Sequence, residues 1–508
     1  MHACVRWHQT LSFGFLAKFL LQERTGYSMN KRALQARKEG GEAMRLILSE
    51  AIRDLKGGPA AAKEKAAKML CHVASLPPTD DKDGASLLVE GGAIAPLIGA
   101  LSGGLDGLNM HAAAALATIA SASEAYQKAV GQAGAIAPLC VLLRSGSATT
   151  MLQAAAALSA LSEQPEYQSA IVKGGAIAPL VRLLRVGQVA DAQAAASIAI
   201  ANVCATSAAA QEASAAAGAI PLLIGMLREG GSSQTAAARA LASLSGGSER
   251  IRREITSQGG VASLLPLLSS LSVPAQVQAA GALAELTRGN PEVQGAIAKA
   301  GGIGPLLAML QSRVSEPSRA NGAAALAQLA SQNADNQRAI ACAGSCAPGE
   351  LEGDPSKPGG GLSLLIGLLE ASQPVRVQAS AAFAIAEVCR ASAPNQTAAS
   401  ELGCARACIE LLAPTDERTL AAAAGIDVRA EAAGALWVLA DVHEANKQAI
   451  SRFQGIPALV LLLSSGSARA QEHSAHALAA IALGNTENQL AVATPLVASL
   501  VSGGRPSE

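Results

Sequence analysis

A recurring leucine marks the period of the apolar pattern along this chain. It lies near the end of each apolar run, at Leu101, Leu143, Leu184, Leu227, Leu268, Leu310, Leu369, Leu412 and Leu463. Six of the eight intervals between these leucines are 41–43 residues long, and the other two are 59 and 51 residues. Intervals of about 40–47 residues are typical of helical solenoid repeats. The pattern therefore predicts an all-α chain of stacked repeats.

Residues 126–162 show the three helices that each repeat is expected to contain. A short first helix is predicted to end at Gly134, because glycine accepts the positive φ found just past many helix ends. Pro138 fits the first turn of a second helix, where its missing N–H is not needed. The turn 145–147, Ser-Gly-Ser, separates this helix from a third. The third helix carries apolar residues at helical spacing, namely Ala154, Ala155, Leu158 and Leu161.

The repeated motif resembles the armadillo repeat. It reads N/Y-Q-x-A-I-x-x-x-G-A-I-x-P-L-V-x-L-L-x-S-G-S, followed by Q-x-x-A-A-x-A-L-x-x-L, and copies run roughly from Gly41 to Ser502. The resemblance implies a right-handed superhelical solenoid of about ten three-helix repeats. It also implies that the third helices line a concave groove that binds other proteins.

The sequence divides into regular and irregular parts. We expect residues 1–40 to be a basic leader, residues 41–76 a degenerate capping repeat, residues 84–502 the solenoid, and residues 503–508 a disordered tail. Insertions near residues 345–359 and 413–427 explain the two long intervals, and the first is rich in glycine and proline, which predicts a mobile loop. Such loops on a rigid scaffold can carry function or be tolerated insertions.

Composition and charge narrow the class of protein. Hydrophobic residues make up 50% of the chain but aromatic residues only 2%, which suits repeats that pack through alanine and glycine. The 39 basic and 39 acidic residues balance, and this argues against general nucleic-acid binding. No transmembrane segment and no secretory signal are evident. We expect a monomer in the cytoplasm or nucleus, and organellar targeting by the basic leader is the alternative.

The exposed face of each third helix is predicted from its core leucine. A helix turns about 100° per residue, so positions −2 and +2 from that leucine face away from the core. With Ile198 and Phe383 taken as core residues, position −2 reads Ala114, Ala156, Ala196, Arg239, Gly281, Ala324, Ala381, Gly434 and His476. Position +2 reads Thr118, Ala160, Ile200, Ser243, Glu285, Gln328, Ile385, Val438 and Ala480.

The polar members of these two rows are the candidate partner-binding residues. They are Arg239, Ser243, Glu285 and Gln328, together with His476 and the neighbouring Trp437. We expect Arg239 and Glu285 to determine which partner binds. Replacing both with alanine should leave the stability of the chain nearly unchanged. A solvated helix face is the alternative explanation for the polar row, and Trp437 is expected to be mainly structural. In the nuclear-import branch of the family, importin-α, tryptophan occupies −2 and asparagine +2, and both ladders are missing here.

No catalytic motif is present, so we expect a non-catalytic interaction scaffold without cofactor or metal. The chain has no P-loop, G-x-S-x-G or H-E-x-x-H sequence. His473 and His476, and the C-x-x-x-C pairs Cys342/Cys346 and Cys404/Cys408, are weak signals for a metal. A substrate-recognition component of the ubiquitin-ligase pathway is the alternative function. A nuclear-import adaptor is a third, which the missing ladders argue against.

Overall fold

A computed structural model describes residues 40–76, 83–185, 190–313, 315–343, 360–413 and 427–503. The leader at residues 1–39 and the tail at 504–508 lie outside the described residues. The insertion at 345–359 and nearly all of the insertion at 413–427 also lie outside them. Within the described ranges the chain is helical and contains no β-strand, so the all-α solenoid is confirmed.

The chain forms two compact units, Met1–Ile251 and Arg252–Glu508. The helices of the first unit are α1 (Gly40–Gly57), α2 (Ala60–Ala74), α3 (Gly84–Glu90), α4 (Ile94–Ala100), α5 (Asp106–Ala122), α6 (Glu124–Gln132), α7 (Ile136–Ser145), α8 (Ala148–Leu161), α9 (Pro165–Lys173), α10 (Ile177–Leu183), α11 (Ala190–Cys204), α12 (Ala208–Ala216), α13 (Ala219–Met226) and α14 (Gly231–Ser245). Helix α15 (Glu249–Ser257) contains the boundary between the two units.

The second unit repeats the same order of elements. Its helices are α16 (Gly260–Leu264), a 3-10 segment (Leu265–Ser269), α17 (Val273–Thr287), α18 (Pro291–Lys299), α19 (Ile303–Leu310), α20 (Glu316–Ala330), α21 (Ala334–Cys342), α22 (Gly360–Gly367), α23 (Val375–Cys389), α24 (Ala393–Glu401), α25 (Cys404–Leu411), α26 (Val428–Ala440), α27 (Glu444–Arg452), α28 (Gly455–Ser465), α29 (Ala468–Ala482) and α30 (Thr486–Gly503). Pro266 explains the 3-10 segment, because proline inside a helix removes a backbone hydrogen bond.

Local sequence signals place the ends of these helices. Gly134 has φ of 85° and follows the first helix of its repeat, as predicted. The side chain of Ser147 accepts a hydrogen bond from the Thr150 N–H and so caps the third helix. Asn290 and Asn333 cap α18 and α21 in the same way. Such caps satisfy backbone donors that a helix leaves free at its N-terminus.

The third helices stack on their neighbours within each unit and form the core. Helix α5 packs between α2 and α8, and α20 packs between α17 and α23. Alanine supplies much of the contact surface, and Ala154, Ala155 and Ala157 of α8 are at most 1% exposed beside the fully buried Leu158. Eight of the nine period leucines are buried, while Leu463 is half-buried beside the buried Leu462. Small side chains therefore let these helices approach closely.

The structure corrects the predicted register of two third helices. Ile198 and Phe383, predicted as core residues, are only half-buried. Ile200 and Ile385, predicted to face the groove, have no exposed surface. Each of these helices carries two large apolar residues separated by alanine, so the sequence alone could not choose between them. Ala196 and Ala381, also predicted to face the groove, are fully buried as well.

A buried glutamine in the first helix binds the third helix of the same repeat. The Nε2 atom of Gln211, Gln294, Gln337 and Gln396 donates to the carbonyl of Ser243, Gln328, Glu387 and Val438, respectively, at 2.9–3.1 Å. Each acceptor lies two residues after the core residue of the next third helix. This equivalence independently supports Ile385 as the core residue of α23. We call these side chains the glutamine clamps.

A buried asparagine links the first helix to the third helix before it. In each case Nδ2 donates to the carbonyl seven residues earlier. The pairs are Asn336 to Leu329, Asn395 to Val388, Asn446 to Leu439 and Asn488 to Ile481, at 2.8–3.2 Å. The last carbonyl groups of a helix have no N–H donor within that helix, and these asparagine amides supply the missing donors.

Replacing a glutamine clamp should destabilise the chain. Gln337→Ala removes the bonds to the Glu387 and Arg390 carbonyls at 3.0 and 3.1 Å and leaves buried acceptors unpaired. The expected cost is about 1–3 kcal/mol, measured as a lower midpoint of urea unfolding.

A matched control lies at the corresponding position of α30. Gln489 is the fourth residue of that helix, as Gln337 is of α21, but its side chain is exposed. Gln489→Ala should change the midpoint little, by no more than about 0.5 kcal/mol. Equal effects of the two substitutions would show that the clamp does not hold the first and third helices of a repeat together.

Candidate partner-binding surface

Positions −2 and +2 of the third helices define the candidate partner-binding surface, although five residues in these rows are buried, namely Ala160, Asn202, Glu387, Gly434 and Val438. After the register correction, position −2 reads Ala114, Ala156, Ile198, Arg239, Gly281, Ala324, Phe383, Gly434 and His476. Position +2 reads Thr118, Ala160, Asn202, Ser243, Glu285, Gln328, Glu387, Val438 and Ala480. The polar row at +2 therefore also includes Asn202 and Glu387, which the sequence-based register missed. Tryptophan is still missing from −2, and Asn202 is the one asparagine at +2.

Arg239 is held in place by a buried amide. Its guanidinium Nη2 donates to Oδ1 of Asn202 at 2.7 Å, and Asn202 is 5% exposed. The Nδ2 atom of Asn202 in turn donates to the Ser162 hydroxyl at 2.9 Å. Arg239 is half-buried rather than exposed. The expectation that its replacement leaves stability nearly unchanged is therefore revised, because Asn202 would lose its donor.

The other polar candidates occupy two units of the chain. Ser243 lies two residues past the core leucine of α14, the helix that also carries Arg239, and is half-buried. Glu285 of α17 is half-buried and pairs with Arg288 at 2.9 Å. Gln328 of α20 is half-buried, and its backbone carbonyl receives the Gln294 clamp. Arg239 and Ser243 thus share one helix of the first unit, while Glu285 and Gln328 lie on stacked helices of the second.

The structure brings Trp437 and His476 together. Their rings stack with centroids 4.6 Å apart and planes inclined by 19°. The guanidinium carbon of Arg390 lies 5.5 Å from the centroid of the same tryptophan ring. Arg390 is the C-cap residue of α23, the third helix of the repeat before α26, and His476 lies on α29, the third helix of the repeat after it. Trp437 is half-buried and His476 is exposed, so part of this cluster faces solvent.

A buried carboxylate fixes the arginine of this cluster. Glu387 is 6% exposed, and its Oε1 accepts from Nε and Nη2 of Arg390 at 3.1 and 2.9 Å. A cation over an aromatic face is attracted by the ring quadrupole, which orders both groups. Glu387, Arg390, Trp437 and His476 are named here the tryptophan cluster. Sequence reasoning missed Glu387 and Arg390 because it placed α23 two residues out of register.

His473 has a different role from His476 although both lie on α29. Its Nδ1 is 2.7 Å from the Ala430 carbonyl, and its ring centroid is 6.4 Å from that of Trp437, at a tilt of 44°. The nearby Glu431 pairs with Arg469 at 2.8 Å. Burial raises the pKa of the Glu431 carboxyl, although Arg469 and His473 act in the opposite direction. His473 thus anchors α29 to α26 beside the cluster.

The cysteines of the second C-x-x-x-C pair are buried in α25. The sulfur atoms of Cys404 and Cys408 are 3.9 Å apart. Both residues, and Cys389, have no exposed surface, and burial raises the pKa of the Cys389 thiol. Cys346 of the first pair lies outside the described residues. Across the part of the chain that the structure covers, no three His, Cys, Asp or Glu side chains form a metal-binding group.

In the covered ranges no single helix is long and apolar enough to cross a bilayer. One pair, Pro291–Lys299 and Ile303–Leu310, reaches that length and composition only in combination, with a bend of 82° between its halves.

The repeated three-helix unit with its stacked third helices defines a helical-repeat solenoid. The sequence profile of the Armadillo/beta-catenin-like repeat matches residues 123–163. A crystal structure of an engineered protein from the Northeast Structural Genomics Consortium matches with 30% identity and a TM-score of 0.66, covering 86% of this chain and 100% of that one. The chain belongs to the armadillo repeat family. This fold is typical of protein-binding scaffolds.

Two further comparisons complete this result. A designed armadillo repeat protein is 26% identical, covers 47% of this chain over 99% of its own length and has a TM-score of 0.42. Among curated proteins, none matches this chain significantly.

Replacing Arg239 should lower stability through its hydrogen-bond partner. Arg239→Ala leaves Oδ1 of the buried Asn202 without its donor, and we expect a loss of about 1–2 kcal/mol in thermal or urea unfolding. Arg185 of the same unit is exposed, and Arg185→Ala is the matched control with an expected change within about 0.5 kcal/mol. A neutral result for Arg239→Ala would contradict the tethered arrangement.

Buried thiols should resist alkylation in the folded chain. Burial raises the pKa of Cys140 and of Cys204 to about 11 from an ordinary value of 9.0, which lowers the thiolate fraction near neutral pH about a hundredfold. Iodoacetamide labelling of these two residues, followed by mass spectrometry, should therefore be far slower in buffer than in urea. Equal rates in both solvents would show that these thiols are accessible.

Proposed function

We propose that this chain is a non-catalytic scaffold that binds a protein partner along its third helices. The tryptophan cluster is the main contact in the second unit. Support for this proposal comes from the family, whose fold is typical of protein-binding scaffolds, and from the half-exposed polar and aromatic face described above. The small, half-buried residues Gly281 and Ala324 would let a partner backbone approach the helices.

The single observation that carries the proposal is the ordered position of Trp437. Tryptophan and arginine are enriched among residues that dominate binding energy, especially where neighbours hold them rigid. Glu387 fixes Arg390, and Arg390 and His476 both contact the Trp437 ring. A large apolar surface held in one conformation loses little side-chain entropy when a partner binds. Trp437 therefore combines the structural role expected from the sequence with a binding role.

Polar residues of the same face would set the choice of partner. Arg239 offers a guanidinium in the first unit, and Glu285 offers a carboxylate in the second. Glu285 already pairs with Arg288, whose side chain is 59% exposed. Exposed ion pairs contribute little to stability, so either member can exchange its partner for a ligand group. On this proposal, Arg239 and Glu285 determine which partner binds.

Substitutions in the tryptophan cluster test the proposal. The full chain is used to capture partners from a cell extract, and each captured protein is then purified and its affinity measured. Trp437→Ala should weaken a direct partner at least tenfold, because a hot-spot side chain contributes about 2 kcal/mol or more. His476→Ala should weaken it by a smaller factor without lowering the melting temperature, because His476 is exposed.

The control substitution lies on the same helix. Gln471 is exposed on α29 and lies about 140° around the helix from His476, so Gln471→Ala should leave affinity unchanged. Unchanged affinity in all three variants would place the binding surface elsewhere. Tight binding of a basic nuclear-localisation peptide would favour an import adaptor, and ubiquitin transfer by the purified chain alone would show that the scaffold proposal is wrong.

A further inference from the structure

A candidate site of another kind lies on the second helices of the first unit. It is a cavity of about 690 Å³ in the first unit, within the range of small-ligand pockets. Residues of α7, α10 and α13 and of the turns before α10 and α13 surround it. The polar side chains that line it are Arg144, Arg182 and Arg185. We call this cavity the arginine pocket.

The charge of the arginine pocket is not balanced by its surroundings. No acidic side chain lines it. Among the described residues, none forms an ion pair with any of the three arginines, and all three arginines are exposed. Three guanidinium groups around one cavity repel one another, and an anion would relieve that repulsion. This imbalance stands out in a chain whose formal net charge is zero.

The backbone holds these arginines around one space. Arg144 belongs to the preceding repeat and donates from Nη1 to the Gly174 carbonyl at 2.5 Å, which fixes it at the pocket wall. Arg182 lies in the last turn of α10 and Arg185 just past its end, and both line the cavity. Gly175 and Gly218 line the pocket with φ of 72° and 83°, and they leave room beside the arginines.

Apolar groups form the rest of the pocket wall. Pro221 and Ala178 are exposed and Leu222 is half-buried, and all three line the cavity. A ligand that fits this wall therefore has an anionic group next to apolar or backbone atoms. Free inorganic phosphate would use only the charged part, whereas a peptide carrying a phosphorylated side chain would use both parts.

We infer that the arginine pocket binds a phosphorylated serine or threonine in an extended segment of a protein partner. Arginine forks donate pairs of hydrogen bonds to phosphate oxygens, and arginine clusters are a recurring means of recognising phosphorylated motifs. A phosphate monoester carries almost two negative charges at neutral pH and suits three cations better than one carboxylate does. Membrane recognition usually uses clusters of four to eight basic residues, more than this pocket contains.

The inference goes beyond the scaffold proposal and can be tested independently of it. The probe is a fluorescent peptide library with a central phosphoserine flanked by randomised positions, and a second library has serine in its place. The full chain should bind the phosphorylated library at least tenfold more tightly. The double variant Arg182→Ala/Arg185→Ala should lose at least tenfold of that affinity. It should keep the melting temperature of the parent, since both residues are exposed.

Two controls make the outcome decisive. Arg338 is an exposed arginine of the second unit, and Arg338→Ala should bind the phosphorylated library like the parent. His476→Ala should also bind like the parent, because it changes the tryptophan cluster and not the pocket. Equal binding of the two libraries would overturn the inference, as would retention of phosphopeptide binding by the double arginine variant. Binding to phosphoinositide vesicles without binding to the phosphorylated library would also overturn it and indicate a lipid headgroup site.

Discussion

The buried amide bonds that join the helices within each repeat and to the repeat before it are the interaction on which the rest of the structure depends. Alanine-rich helices make smooth contacts with little directional preference, so apolar burial alone would allow neighbouring helices to slide. The glutamine clamps prevent this sliding, because a buried Nε2–H without an acceptor within hydrogen-bond distance raises the free energy of the folded chain. Gln294 is 2% exposed and Gln396 4% exposed, so water cannot replace the lost partner. The positions of the carbonyl groups that accept from these amides therefore determine which residues of the third helices share one face.

The fold could be predicted well from the sequence because its signals are local. The period leucines, Gly134 and Pro138 each act within one turn of chain, and the structure places them as expected. The register of α11 and α23 could not be predicted, since Ile198 and Ile200 differ only in which neighbour covers them. Which isoleucine is buried depends on contacts with helices about 40 residues away in the chain. The pattern of apolar residues carries no information on those contacts.

The candidate sites show the same limit in a different form. Trp437 stood out as one of two tryptophans, but its partners Arg390 and His476 lie on other helices and were not connected to it by spacing. The arginine pocket was not predicted from the sequence, because candidate binding residues were sought only on the third helices and the pocket is lined by second helices. Arg144 and Arg182 occupy the second helices of successive repeats, and only packing of those repeats brings them to one cavity. Sites assembled across repeats need the stacking geometry before their residues can be grouped.

The choice of acceptor in the glutamine clamps has an evolutionary consequence. Each clamp binds a main-chain carbonyl, an atom that every residue type provides. The residues that supply it, Ser243, Gln328, Glu387 and Val438, differ in size, polarity and charge. Mutation can therefore alter the side chain at this position without removing the bond that joins the first and third helices of a repeat. After duplication, each repeat can therefore acquire different side chains at this position while it keeps the same glutamine hydrogen bond.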